Sequence, residues 1–325
     1  MSEKPEVMKA AALKQFGGPE NFSIEIVPVP ELDPDEILMK VHTAGVGVWD
    51  PSEREGKMVG WMDQEPRFPY IPGSDGSGTV VATGSRVQGF HDGDRIYAPA
   101  FLNPKGGFYA EYAAVKAGNA APVPRGLSME EAGALPIDGV TALRGLRDEI
   151  GLKEGETILV FGASGGVGHL AAQLAHRMGA RVLAVASGSD GVSRVEELGV
   201  SEVVDGHGEG LSDAIRNLAP DGLDAALVTA SGEGLEEALS GLREGARLAW
   251  PNGVRPEPKA PPGVKASSYN GRPDPDLLQE MNRLMESGPF RVLVDRTFSM
   301  TEVGDAHRAL DDHYVGKLAI RVAEE

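Results

Sequence analysis

Two hydrophobic rhythms divide the chain. Between residues 8 and 130 the apolar positions fall in short runs: MKAAALKQF, FSIEIVPVP, EILMKVHTAGVGV, GSGTVVATGSRV, DRIYAPA and AEYAAVKAG. Each is broken by Gly, Pro or Asp. Strand-length runs punctuated this densely predict an all-β or barrel-like domain. Where the rhythm changes, Ser128 followed three residues later by Glu131 reads as a capping box and opens a helix. From Glu156 onward the strand-like runs TILVF, RVLAVA, EVV, DAALVT and ARLAW alternate with helix-period segments at 166–179, 192–198, 209–218 and 234–241. That alternation predicts βαβ units and a buried parallel sheet ending near VKASSY. Beyond Pro273 the pattern reads helix (DLLQEMNRLMESG), strand (FRVLVDRTFS), helix (MTEVGDAHRALDDH) and strand (KLAIRV).

The turn between the first strand of that series and its helix carries two readings. In ILVFGASGGVGHLAAQL, residues 158–174, Gly162, Ser164 and Gly166 satisfy the G-x-S-x-G of a serine elbow. Ser164 would then be a nucleophile, with Asp224 or Asp295 and then His307 or His313 following in chain order. A hydrolase of that type needs several strands and an oxyanion loop before the elbow, whereas TILVF starts its own sheet. The second reading is a phosphate cradle. Gly162, Ala163, Ser164, Gly165, Gly166, Val167 and Gly168 would bring backbone N–H groups and a helix N-terminus to a pyrophosphate. Gly165 and Gly166 permit close approach, and Gly168 lets the helix pack on its sheet. Ala163 stands where a glycine is usual.

The next strand tests which dinucleotide fits. It ends in Ala186, Ser187, Gly188 and Ser189, without the acid that grips the ribose of NAD. Small neutral residues leave room for a 2′-phosphate, and Arg194 supplies a charge in the same segment. NADPH is therefore the expected cofactor, with NADH kept open by Asp190.

Composition narrows the chemistry further. A chain of 325 residues, 41% hydrophobic, suffices for two domains. There is no cysteine, which excludes disulfides, thiolate nucleophiles and cysteine-ligated metal. The seven histidines, 42, 91, 169, 176, 207, 307 and 313, show no ligand spacing and read as surface or packing residues. A net charge of −18 argues against nucleic acid as a partner. No apolar window is long enough to span a membrane, and the start, MSEKPEVMKAAALKQFGG, has neither a signal-peptide core nor a transit pattern. A cytoplasmic protein is expected.

Several long motifs, in order over some 300 residues, resemble the zinc-free branch of the medium-chain dehydrogenase/reductase superfamily, the quinone oxidoreductases close to zeta-crystallin. They are MKAAALKQFGGPE, VPVPELDPDEILMKVHTAGV, IPGSDGSGTVVATGSRVQGFHDGDRIYA, GGFYAEYAAV, GALPIDGVTAL, VFGASGGVGHLAAQLAHRMGARVLAVAS and FSMTEVGDAHRALDDHYVGKLAIRV. The resemblance implies an α/β protein with a GroES-like β-barrel domain at 1–130, completed by 270–325. A Rossmann doubly wound parallel sheet domain at 131–269 would lie between them in sequence. It also implies NADPH bound in the cleft between the domains, a homodimer, and a small-molecule quinone or enone as substrate.

Zinc members of the superfamily carry a catalytic Cys where Gly47 stands and a His-Glu pair where Ser74 and Asp75 stand, so no metal is expected. Residues 45–56 match the family's substrate loop, with Gly47 and Ser52 where Asn and Tyr are common. Trp49 reads as an apolar wall or as packing, Asp50 as a proton-relay or hydrogen-bonding group or as a turn carboxylate. Trp61 reads as a cap on the pocket. The resemblance places Thr141, Thr229, Pro251, Asn252 and Gly253 near the nicotinamide, and Phe290 and Val292 at the backbone that receives the carboxamide. A family Lys falls at Gly191 and a family Tyr at Gly206. The expected activity is that of a metal-free, NADPH-dependent reductase that transfers hydride to a quinone or α,β-unsaturated carbonyl compound, and two readings stand beside it: a cofactor-binding or structural protein without turnover, and the Ser164 hydrolase.

Overall fold

Short strands in the first 125 residues pair as their alternation requires. The computed structural model describes residues 5–62, 64–208 and 210–323. Strands β1 (Val7–Leu13) and β2 (Phe22–Pro28) form an antiparallel hairpin. β3 (Glu36–Val46) is the longest strand and is nearly continuous in buried residues, as befits a strand covered on both faces. It leads into the one-turn helix α1 (Asp50–Arg54). The remaining strands here are β4 (Asp75–Thr83), β5 (Arg95–Pro99), β6 (Tyr112–Lys116) and β7 (Ala121–Pro122). Ile37, Leu38, Met39, Ile96, Phe108 and Tyr109 fill the core of this unit.

Helix α2 (Met129–Ala134) starts as the sequence predicts: Ser128 Oγ accepts the Glu131 N–H at 3.1 Å, and Glu131 Oε2 accepts the Ser128 N–H at 3.0 Å. Pro136 interrupts it, because proline has no N–H to continue the ladder. A new helix, α3 (Pro136–Arg144), follows and widens into π turns over Gly145–Ile150.

Then come β8 (Thr157–Phe161), α4 (Gly166–Arg177), β9 (Arg181–Ala186), α5 (Gly188–Glu196) and β10 (Glu202–Asp205). They are followed by α6 (Leu211–Leu218), β11 (Leu223–Val228), α7 (Leu235–Leu239), β12 (Leu242–Pro251) and β13 (Lys265–Tyr269). The expected start of α6 at Glu209 lies outside the described residues. The six strands run parallel in the order β10-β9-β8-β11-β12-β13. Counted within the sheet this is 3-2-1-4-5-6, the doubly wound order whose reversal lies between β8 and β11.

The chain ends with α8 (Pro275–Glu286), β14 (Val294–Ser299), α9 (Val303–Arg308) and β15 (Lys317–Arg321). β14 and β15 join the sheet built on β3, separate from the β1–β2 hairpin, giving the order β14-β15-β3-β4-β5-β7 with β6 also on β3. Two compact units result: residues 1–137, 273–279 and 294–325 form one, and residues 138–272 and 280–293 the other. The mixed α/β architecture, a GroES-like β unit and a Rossmann-like parallel sheet, is the fold class the sequence implies.

Two expected elements differ. α5 begins at Gly188, four residues before the expected 192, because the run SGSD hides its start behind small polar residues. The run FRVLVDRTFS becomes a strand only from Val294. Backbone groups of Arg291 and Leu293 are bonded to α4 side chains instead of to a neighbouring strand.

Candidate active and cofactor-binding site

The turn from β8 into α4 is shaped by close approach. Gly162 has φ +83°, a conformation that L side chains rarely adopt, and its N–H and that of Ala163 both donate to Val185 O, at 3.0 and 2.9 Å. A Cβ on Gly168 would overlap Gly162 O and crowd the Ala163 Cα. The first turn of α4 therefore sits directly on the strand end, and the N-terminal amides of Gly166, Val167 and Gly168 open at that point. Ala163 is fully buried, so its methyl group packs inward.

Ser164 is largely buried, and its Oγ accepts the Ser187 N–H at 3.1 Å. This bond ties the glycine turn to the end of β9. It is the arrangement of a structural hydroxyl, since the serine elbow would put a histidine at that oxygen.

At the end of β9 the structure brings together Ser187, Gly188 and the following turn of β10. Ser187 Oγ lies 2.9 Å from His207 Nε2, and Asp205 Oδ1 accepts the N–H groups of Gly188 and His207, both at 3.0 Å. Ser189 follows in the first turn of α5. Arg194 lies in the last turn of α5, six residues and about 9 Å of helix axis beyond Gly188. There it pairs with Glu197 at 3.0 Å. Gly191 leaves little room beside Ser164, with a Cβ at that position 3.0 Å from the Ser164 Cβ. His207, which its sequence context marks only as a surface histidine, was a missed member of this group. Nothing local signals it, because its partner lies one strand away.

Around the carboxyl ends of β11 and β12, Thr229 Oγ1 donates to Phe161 O at 2.9 Å and so locks β11 to the glycine turn. Asn252 donates its backbone N–H to Tyr269 O at 2.8 Å and its Nδ2 to Asn270 Oδ1 at 2.9 Å, just after Pro251. Gly253 stands in open space. Thr141, on α3, is buried, and its carbonyl accepts the Tyr269 O–H at 2.9 Å. Phe290 and Val292 are buried in the stretch held by α4.

The other unit carries a buried polar cluster on α1 and the elements around it. Asp50, 1% exposed, accepts the Gly47 N–H at 2.9 Å and the Tyr109 O–H at 2.6 Å on the same oxygen, Oδ2. Tyr109 Oη also lies 3.3 Å from His307 Nε2, and His307 Nδ1 lies 3.3 Å from Arg54 Nη1. Donor capacity fixes the direction of the chain. Arg54 can only donate, so His307 accepts at Nδ1, donates from Nε2–H to Tyr109, and Tyr109 donates to Asp50 Oδ2. Burial, reinforced by Arg54, pulls the His307 pKa down to about 3, in keeping with a neutral ring. Glu53, 2% exposed, accepts the Tyr70 O–H at 2.6 Å. Its pKa rises to about 8, first from burial and then from the Asp50 charge. Both tyrosines are pushed well above their ordinary range by burial and by these carboxylates.

Trp49, half-buried, lies over Gly47, where any Cβ would overlap its indole ring. Lys317 Nζ is 5.1 Å from the Trp49 ring and 3.9 Å from Asp75 Oδ2, with both ionic side chains almost wholly buried. Asp75 Oδ1 accepts the Ile137 N–H at 2.6 Å. Ser52 is half-buried, and its backbone closes the turns of α1. Trp61 is 73% exposed. Sequence reasoning singled out Trp49, Asp50 and Ser52 here, and missed Glu53, Arg54, Tyr70, Tyr109 and Lys317, which come from four places in the chain.

A doubly wound sheet with a glycine turn at its switch point, in one chain with a GroES-like unit, defines an oxidoreductase of the medium-chain dehydrogenase/reductase type. Residues 33–125 match the alcohol dehydrogenase GroES-like domain family, and residues 166–256 the zinc-binding dehydrogenase family. The 2-methylene-furan-3-one reductase of Solanum lycopersicum is 33% identical over 97% of this chain and 79% of its own length. An NADPH-dependent alkenal/one oxidoreductase of Arabidopsis thaliana, described as chloroplastic, is 32% identical over 97% of this chain and 80% of its own. The solved quinone oxidoreductase from Coxiella burnetii superposes with a TM-score of 0.80 at 27% identity, covering 98% of this chain and all of that one. The chain belongs to the quinone oxidoreductase family of the medium-chain dehydrogenase/reductase superfamily. Among the described residues, no helix is long and apolar enough to cross a membrane.

Proposed function

We propose that the protein is a zinc-independent, NADPH-dependent reductase of quinones or α,β-unsaturated carbonyl compounds. The observation that carries this reading is the β8–α4 turn, where Gly162 and Gly168 leave backbone N–H groups at the switch point of the sheet. Relatives named as an alkenal/one oxidoreductase and a quinone oxidoreductase support the acceptor class.

The residues present do not fit a catalytic zinc. The chain has no cysteine, position 47 has no side chain and is covered by Trp49, and Ser74 offers a hydroxyl where metal members have an imidazole. Among the described residues, no group of three or more His, Asp or Glu side chains could hold a metal ion. Simple ketones gain most from a Lewis acid on the oxygen, whereas a conjugated acceptor is already electrophilic at carbon and delocalises the incoming charge.

When bound, the nicotinamide ring supplies hydride to that carbon. The chain's own groups bind and orient. Residues 162–168 receive the pyrophosphate, and Ser187, Gly188 and Ser189 face the adenosine end, with Arg194 as the cation for the 2′-phosphate. Thr141, Thr229, Pro251, Asn252 and Gly253 line the nicotinamide half, and the backbone of Phe290 and Val292 takes the carboxamide. Trp49 offers a flat wall, and Ser52 a hydroxyl beside it. Asp50, taken up by Gly47 and Tyr109, holds the loop in place and leaves the proton to another group.

Titration with NADPH and NADH tests the reading: NADPH should bind in the micromolar range, and failure of both to bind below millimolar overturns it. Turnover of a quinone or an enone by NADPH should follow. Tight binding without turnover of either would favour the non-catalytic reading that Gly47 and Ser52 keep open. The homodimer and the cytoplasmic location belong to the same proposal, and light scattering that returned the mass of a single chain would remove the first.

A further inference from the structure

Residues 290–293 read in the sequence as the start of a strand, yet they are held by two side chains of α4. Gln173, 4% exposed, accepts the Arg291 N–H on Oε1 at 3.0 Å and donates from Nε2 to Arg291 O at 2.9 Å. It thus pairs with both backbone groups of that residue, as a neighbouring strand would. His169, fully buried, accepts the Leu293 N–H on Nε2 at 3.1 Å and faces Gly165 O with Nδ1 at 2.9 Å. A carbonyl only accepts, so the ring is the neutral Nδ1–H tautomer and bridges the glycine turn to Leu293. Gln173 Nε2 also donates to His169 O at 2.9 Å, which joins the two contacts into one unit. The pair stands at i and i+4 on one face of α4.

We propose that His169 and Gln173 are positioning residues, a clasp that fixes the backbone of Phe290 and Val292 relative to the glycine turn and so sets how tightly the nicotinamide end of the cofactor is held. The proposal rests on the assignment of Phe290 and Val292 to the carboxamide. Arg291 and Leu293, two residues apart, turn backbone groups toward α4. In an extended segment the alternate residues, Phe290 and Val292, turn theirs to the opposite side. The clasp thus orients the groups assigned to the ligand without touching it, and ties both ends of the cofactor to one helix.

The experiment compares NADPH with 2′-phospho-ADP-ribose, which lacks the nicotinamide, on the wild type and three variants. His169→Asn keeps a donor for Gly165 O but loses the acceptor for Leu293. His169→Gln places an amide oxygen near the former Nε2. Gln173→Leu removes the pairing with Arg291. His169→Asn and Gln173→Leu should each weaken NADPH about tenfold, the worth of one buried hydrogen bond. Both should leave 2′-phospho-ADP-ribose within about twofold, and His169→Gln should restore much of the NADPH affinity. Circular dichroism identifies any variant that fails to fold, and the two positions are independent routes to the same split. Equal weakening of both ligands, or no weakening of either, overturns the clasp. A wild type that binds neither ligand overturns the cofactor reading itself, and the clasp with it.

Discussion

The glycine turn at residues 162–168 and the polar cluster around Asp50 solve the same problem, holding a loop in one geometry, by opposite means. The turn uses backbone alone: a positive φ at Gly162 and a missing side chain at Gly168 bring α4 onto β8 with no charge involved. The cluster uses six ionisable or hydroxylic side chains, each almost sealed from water: Arg54, His307, Tyr109 and Asp50 in one directed chain, and Glu53 beside it on Tyr70. A backbone device fails through sterics and is indifferent to pH. A buried polar device fails through unpaired groups and is governed by pH.

The largest effect expected from breaking that contrast is at Gly168. Gly168→Ala places a methyl group on Gly162 O, a backbone atom that cannot step aside, so NADPH binding should fall at least about 100-fold, the scale of losing a few kcal/mol of backbone contacts. Gly253→Ala, in open space, should change affinity less than about twofold. Calorimetric titration of the pair checks both, and equal losses would remove the steric account.

Next in size is Tyr109→Phe. It takes one donor from the Asp50 carboxylate and the acceptor from His307 Nε2–H, two buried groups, and should cost about 2–3 kcal/mol of stability. Denaturant unfolding reads this directly. A loss below about 0.5 kcal/mol would mean that the chain of bonds holds nothing together.

A pH series sharpens the contrast further. Glu53 carries a folded pKa near 8 against an ordinary 4.5, so the native state holds the proton more tightly than the unfolded chain, and stability falls as pH rises from about 4.5 to 8. His307, lowered from 6.5 to about 3, acts in the other direction: the unfolded chain takes up the proton first, and stability falls as pH drops from about 6.5 to 3. Glu53→Gln should therefore flatten the decline of Tm as pH rises toward about 8, while the decline toward pH 3 stays. If both sides kept their slopes, Glu53 would not be the buried acid.

The smallest effect is at Arg194. Its pair with Glu197 is solvent-exposed, so Arg194→Ala should shift stability by less than about 0.5 kcal/mol. It should weaken NADPH more than NADH if the cation serves the 2′-phosphate, and an equal loss for both would pass that role to His207, which stands 2.9 Å from Ser187.

The two regions differ just as much in how legible they are. The glycine turn could be read because strand, glycine spacing and helix are contiguous, and the capping box at Ser128 was equally local. The parallel sheet followed from the alternation of strand and helix periods, whereas its 3-2-1-4-5-6 order is set by pairing between distant segments. The strand read over 290–299 lost its first four residues, since periodicity cannot tell a backbone paired by a strand from one paired by the side chains of Gln173 and His169. In the polar cluster, Asp50 drew attention through the motif around it. Tyr70, Tyr109 and His307 are ordinary residues in their own segments.

By itself, then, the sequence determined the two-part α/β architecture, the glycine turn and the absence of thiolate chemistry, because these depend on spacing and composition over short stretches. Only the tertiary structure decided which buried groups share protons. It turned His169 and His307 from isolated histidines into neutral bridges of opposite tautomer, made Glu53 an acid that keeps its proton near neutral pH, and laid Trp49 over Gly47. The physical reason is that hydrogen-bond direction and desolvation depend on distances between residues up to 253 positions apart, and no local pattern records those distances.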